Sequence, residues 1–242
     1  MGKKNKKELK QFPLTNKTNC IIYLQRIIAT SELCLFKLKS YNENTYTILQ
    51  EYKTNEKIPH DIYTAEKDKT SNVICYLLNI LGDAQSTSIS YFKYRKQVMK
   101  LAKKGDEDIQ FTPFSDEIQD LISDFNRMRN WQNHIPESLL TSEIELIREG
   151  KFFSHSKNPI ELNINQFVTY GYMQDLYNEN IGFYKAARKL VQMCKKDYSL
   201  LIGESVKITK VFHEKPVGIE FLEVSKMSAD VQGIKGKQNT SS

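Results

Sequence analysis

The chain has 242 residues, 40% hydrophobic and 26% charged, the balance of a water-soluble globular protein with room for one large domain and an extension. Its net charge of +6 and pI near 8.9 suit a polyanionic partner without requiring one, because part of the excess sits in the lysine-rich start. No apolar run is long enough to cross a membrane, and Met1-Gly-Lys-Lys-Asn-Lys-Lys7 is not followed by the apolar stretch of a secretory signal, so a cytoplasmic protein without membrane contact is expected.

Only 10 glycines and 6 prolines interrupt the chain, which predicts long helices. Residues 1–14 read as a disordered basic arm, with almost nothing apolar to bury before Phe12. A helix begins at Thr18, apolar over a wide face through Ile21, Leu24, Ile28, Leu35 and Leu38. Residues 42–55 fit a short helix or a strand, and Pro59 breaks whichever forms. Asp61 or Thr64 opens a second helix, through Val73, Leu77 and Leu81 to Gly82. A third, from Ser86 to Lys104, is the most basic. Lys93, Arg95 and Lys96 interleave there with Tyr91 and Tyr94, a pattern suited either to a single-stranded RNA groove or to a solvated outer face.

The fourth helix follows Pro113 and a candidate N-cap, Ser115, with Asp116 and Glu117 in its first turn. Ile118, Leu121, Ile122, Phe125 and Met128 line one side at helical spacing. Pro136 disfavours helical geometry at Ile135, so the helix should stop at or just after His134. A short helix from Ser138 to Gly150 and a long one from Asn165 to Leu201 complete the domain at residues 15–203. Beyond Gly203, Val206–Phe212 and Val217–Val224 alternate around His213-Glu-Lys-Pro216 and read as a β-hairpin over residues 204–224. Residues 225–242 read as a disordered polar tail. The expected fold is mainly all-α, a helical bundle with a small C-terminal β-hairpin.

Metal chemistry finds no support in the spacing. Cys20, Cys34, Cys75 and Cys194 form no C-x-x-C pair and read as small buried hydrophobes in a reducing compartment. The 4 histidines pair with no cysteine or histidine at ligand spacing, and no tight carboxylate pattern suggests a two-metal nuclease. No metal and no cofactor are expected.

The densest chemistry lies between Arg127 and His134, which holds Arg127, Arg129, Asn130, Asn133 and His134. At about 100° per residue, Asn130 lies one turn before His134, and Arg127 two turns before it within about 20° of the same line. Arg129 sits roughly 140° away, towards the flank of the apolar side. At a helix C-terminus His134 faces the negative end of the dipole, which favours its protonated form. A surface arginine cluster with a histidine satisfying helix carbonyls is the plain alternative.

Arg129-Asn130-x-x-x-His134 resembles the R-N-x-x-x-H form of the R-x(4–6)-H signature of the HEPN superfamily, in a similar setting of an amphipathic helix, a short loop and a further long helix. The resemblance implies a helical bundle of HEPN type and a metal-independent endoribonuclease of toxin–antitoxin, abortive-infection or phage-defence type. It implies a homodimer with a composite site, and an antitoxin or defence-system protein as a further partner. By it Arg129 and His134 are the catalytic pair and Asn130 the polar neighbour that orients them, while Arg127 also meets the looser spacing. Arg127, Asn133, Lys93, Arg95 and Lys96 are then the candidate RNA or phosphate contacts. A second expectation is a HEPN-like module that binds nucleotide, RNA or protein without catalysis.

Overall fold

The computed structural model describes residues 12–85, 88–104, 109–133, 138–150 and 164–214. Among them are six helices and one two-stranded sheet: α1 (Lys17–Glu51), β1 (Lys57–Pro59), α2 (His60–Gly82), α3 (Tyr91–Lys103), α4 (Asp116–Asn133), α5 (Ser138–Arg148), β2 (Phe167–Thr169) and α6 (Tyr170–Ile202). The chain divides into two units, Met1–Val206 and Lys207–Ser242.

α1 starts where Asn16 accepts a hydrogen bond from the Asn19 amide at 2.9 Å, a side-chain N-cap. It then runs unbroken through the ambiguous stretch. Asn42, Thr45 and Leu49 continue the buried side begun by Leu24, Ile28, Leu35 and Leu38. Two of those three are polar, which hides the helical period from a hydrophobicity reading. Thr45 is satisfied locally, donating to the Tyr41 carbonyl at 3.0 Å and lying 3.4 Å from the buried Glu66 carboxylate.

Pro59 does end an element, but that element is a strand. β1 pairs antiparallel with β2, Ile58 opposite Val168 and Pro59 opposite Phe167. This short pair ties the start of α2 to the start of α6. It buries Ile58 in a small cluster with Leu49, Met173 and Leu176. The main core is built where α1 packs on α6 and α2, α2 on α4, and α4 on α6, with α3 laid against α1 and α2. Gly82 is required at the α2–α4 crossing. A Cβ there would stand 2.7 Å from the carbonyl carbon of Phe125, closer than atoms pack. α6 ends at Gly203 (φ 81°), whose left-handed backbone lets its amide reach the Ser199 carbonyl at 2.9 Å.

Two expectations need correction. Val206–Phe212 forms no strand; the antiparallel pair lies instead between residues 57–59 and 167–169. Alternation alone does not hold a hairpin, which is marginal unless another element covers its face. The partner stretch Val217–Val224 lies outside the described residues, as do residues 1–11 and 225–242. The end of the basic arm is not free either: Leu14 is buried in the main core, and its carbonyl accepts from Gln97 at 3.4 Å.

Arg95 is the third finding that spacing did not foretell. It is buried at 4% exposure rather than on an outer stripe. Asp197 of α6, fully buried, accepts from Arg95 Nη1 at 2.8 Å, the Tyr91 hydroxyl at 2.8 Å and the Thr112 amide at 2.7 Å. Burial pushes the Tyr91 phenol well above its ordinary pKa, so it stays a donor. Phe114 and Phe111 cover the guanidinium, with ring centroids 3.7 and 4.7 Å from its central carbon. One carboxylate thus joins α3, α6 and the segment leading into α4.

Candidate functional site at the end of α4

The last turns of α4 lie against the C-terminal turn of α2, and two opposite sides of α4 carry different groups. On the inner side, Arg129 reaches across to α2. Its Nη2 is 3.3 Å from Asp83 Oδ2 and its Nε donates to Asn79 Oδ1 at 3.3 Å. Its Nη1 donates back to Asn130 Oδ1 at 3.2 Å. Only 13% of the Arg129 side chain and 7% of the Asp83 side chain remain exposed. The cation also sits at the negative end of the α2 dipole, a second reason for its position.

Asp83 organises more than one cation. Its Oδ1 accepts from the Gln85 amide at 2.9 Å, and its backbone carbonyl accepts from the Ser90 hydroxyl. Ser90 caps α3 by accepting from the Lys93 amide at 3.1 Å. Lys93 Nζ donates to the Ser88 carbonyl at 3.1 Å. Partial burial pulls the Lys93 ammonium below its ordinary pKa, and the Asp83 charge opposes that shift. Tyr23 closes the cluster, donating to the Ser88 carbonyl at 3.1 Å and accepting from the Ser90 amide at 3.0 Å. Burial lifts its phenol to about 12. Lys93 of α3 and Arg129 of α4 therefore share one anionic neighbour, which sequence reading missed. An aspartate directly after Gly82 reads as turn chemistry; its role appears only once α4 crosses α2 there.

On the outer side, Arg127 is 73% exposed and pairs with Asp124 one turn earlier, at 2.9 Å. Asn130 and Trp131 are exposed beside it. Lys96 is exposed on α3, its ammonium 4.4 Å from the Phe92 ring centroid. Among the candidate contacts whose side chains are described, Arg95, spent on Asp197, is the one turned fully inward. Asn133 ends α4; its side chain and the whole of His134 lie outside the described residues. Among the described residues no group of His, Cys, Asp or Glu could hold a metal ion, and no helix is long and apolar enough to cross a membrane.

The Arg129–Asp83 contact has a measurable consequence. Asp83→Ala strands a nearly buried guanidinium and should cost about 1–3 kcal/mol of stability. Urea unfolding of Asp83→Ala, Arg129→Ala and the double variant should show the second change costing little once the first is made. Additive losses would mean that the two side chains act independently.

The chain matches no protein-family model, and no curated protein or solved structure matches it.

Proposed function

We propose that the chain is a metal-independent endoribonuclease of HEPN type, acting in phage defence or as a toxin, with its site at the end of α4. The observation that carries the reading is the sequence Arg129-Asn130-x-x-x-His134, whose arginine, in the last turns of α4, is held by Asn79 and Asp83 and hydrogen-bonded to Asn130. A catalytic group must be held in place before substrate arrives, and this arginine is.

In this mechanism His134 exchanges a proton, because an imidazole titrates near working pH. As base it draws the proton from a ribose 2′-hydroxyl, whose oxygen attacks the adjacent phosphorus. As acid, on a second copy, it protonates the leaving 5′-oxygen. Arginine keeps its proton and contributes charge and position, stabilising the phosphoryl oxygens as negative charge builds. The products are a 2′,3′-cyclic phosphate and a 5′-hydroxyl. One chain supplies a single His134, so a homodimer with a composite site is part of the proposal, with an antitoxin or defence-system protein as the restraining partner.

The test is total RNA incubated with the pure protein in EDTA. Degradation that persists under chelation is expected; RNA left intact, or cut only when a divalent ion is restored, would overturn the reading. One observation favours a non-catalytic HEPN-like RNA- or nucleotide-binding module: Arg129 is already neutralised by Asp83, which leaves it less charge for a phosphate. Binding without turnover would select that second reading.

A further inference from the structure

Arg129 points into the α2 seam, so the groups that α4 offers to solvent are others. About 160° around the helix from Arg129 stands Trp131, the only tryptophan of the chain. It is 60% exposed. Arg127 lies one turn before it, about 40° off the same line and about 6 Å along the axis. Asn130 is exposed on the other side of Arg127 from Trp131, with its amide oxygen accepting from Arg129 at 3.2 Å. An exposed indole followed around the helix by an exposed guanidinium, ion-paired only with the equally wet Asp124, and an amide has the parts of a nucleotide platform: a flat π-face, a cation and a hydrogen-bonding edge. The Arg127–Asp124 pair does not prevent this. Both partners are more than half exposed, and an ion pair so wet exchanges readily for phosphate.

We propose that the outward side of the last two turns of α4 holds one unpaired nucleotide of a single-stranded RNA, with Trp131 stacked on the base and Arg127 on the adjoining phosphate. This rests on the RNA reading above and narrows it from RNA in general to single strands, because a paired base has both faces already stacked. Charge and surroundings favour RNA over a protein partner. Among the described side chains within one turn of Trp131, the exposed neighbours on α4 are Arg127, Met128 and Asn130, of which Met128 alone is apolar, whereas a protein hot spot needs a wider water-excluding rim.

The lone tryptophan is its own reporter. The full chain is titrated with a short 2′-O-methyl oligouridylate, which cannot be cut, and with the same strand annealed to its complement. The single strand should quench Trp131 fluorescence and the duplex should not. By anisotropy of the labelled strand, Trp131→Ala should weaken binding by about 5- to 150-fold, with Trp131→Phe keeping part of the affinity. Arg127→Ala should lower the salt slope by about 0.7, the share of one phosphate contact. Asp124→Asn, which frees Arg127, should tighten binding.

Fluorescence indifferent to the single strand, equal quenching by the duplex, or unchanged affinity in Trp131→Ala would each overturn the platform. So would a protein-concentration-dependent blue shift of Trp131 without oligonucleotide, which would assign this side of α4 to a protein interface. Quenching in a protein that leaves RNA uncut keeps the platform and removes the nuclease. RNA cutting that ignores Trp131 does the reverse.

Discussion

Asp197→Ala should lower the unfolding free energy by about 3–5 kcal/mol, the usual cost of removing one partner from a buried ion pair. The carboxylate is fully buried and accepts from Arg95, Tyr91 and the Thr112 amide. Its loss leaves a buried guanidinium under Phe111 and Phe114 with no counter-charge, and a backbone amide with no acceptor. Asp197→Asn should be milder, since an amide oxygen still accepts although the charge is gone. The check is the urea midpoint, with near-ultraviolet circular dichroism following the tyrosines. A variant as stable as the parent would mean that this network carries no net stability. Because Thr112 belongs to the segment that leads into α4, a milder variant should also loosen the proposed site, raising KM more than it lowers kcat.

His134→Ala should slow RNA cleavage by about 100- to 10,000-fold, the range spanned by general acid–base groups. No other group between Arg127 and His134 titrates near neutrality. His134→Gln makes the sharper comparison. An amide of similar reach can hold a hydrogen bond but cannot trade a proton, so it should be as slow as alanine and flatten the pH–rate profile. RNA binding, read with an uncuttable strand, should fall far less than the rate. A His134→Ala variant that cuts RNA as fast as its parent would remove the histidine from the chemistry.

The helices were readable from the chain because their buried apolar positions recur at three, four or seven residues, as Leu24, Ile28, Leu35 and Leu38 do in α1. Where polar residues are buried the signal fades. Asn42 and Thr45 concealed the second half of α1, and three-residue strands such as Lys57–Pro59 are too short to show any period. Arg95 looked like a surface cation for the same reason: its partner, Asp197, is 102 residues away. The candidate site was legible in part. The flank position expected for Arg129 agrees with its place in the α2 seam, whereas Asn79 and Asp83 could be recognised only after α2 and α4 met at Gly82. Trp131 carries no signal in the sequence, and only its exposure beside Arg127 sets it apart.

If a 2′-hydroxyl attacks at the end of α4, the chemical ends of the product must show it. An RNA oligonucleotide and the same strand carrying deoxyribose at the cleaved nucleotide are incubated with the protein in EDTA. The RNA should yield a 2′,3′-cyclic phosphate and a 5′-hydroxyl at that position while the substituted strand stays whole there. Cutting of the deoxyribose position, or a 5′-phosphate on the product, would contradict it.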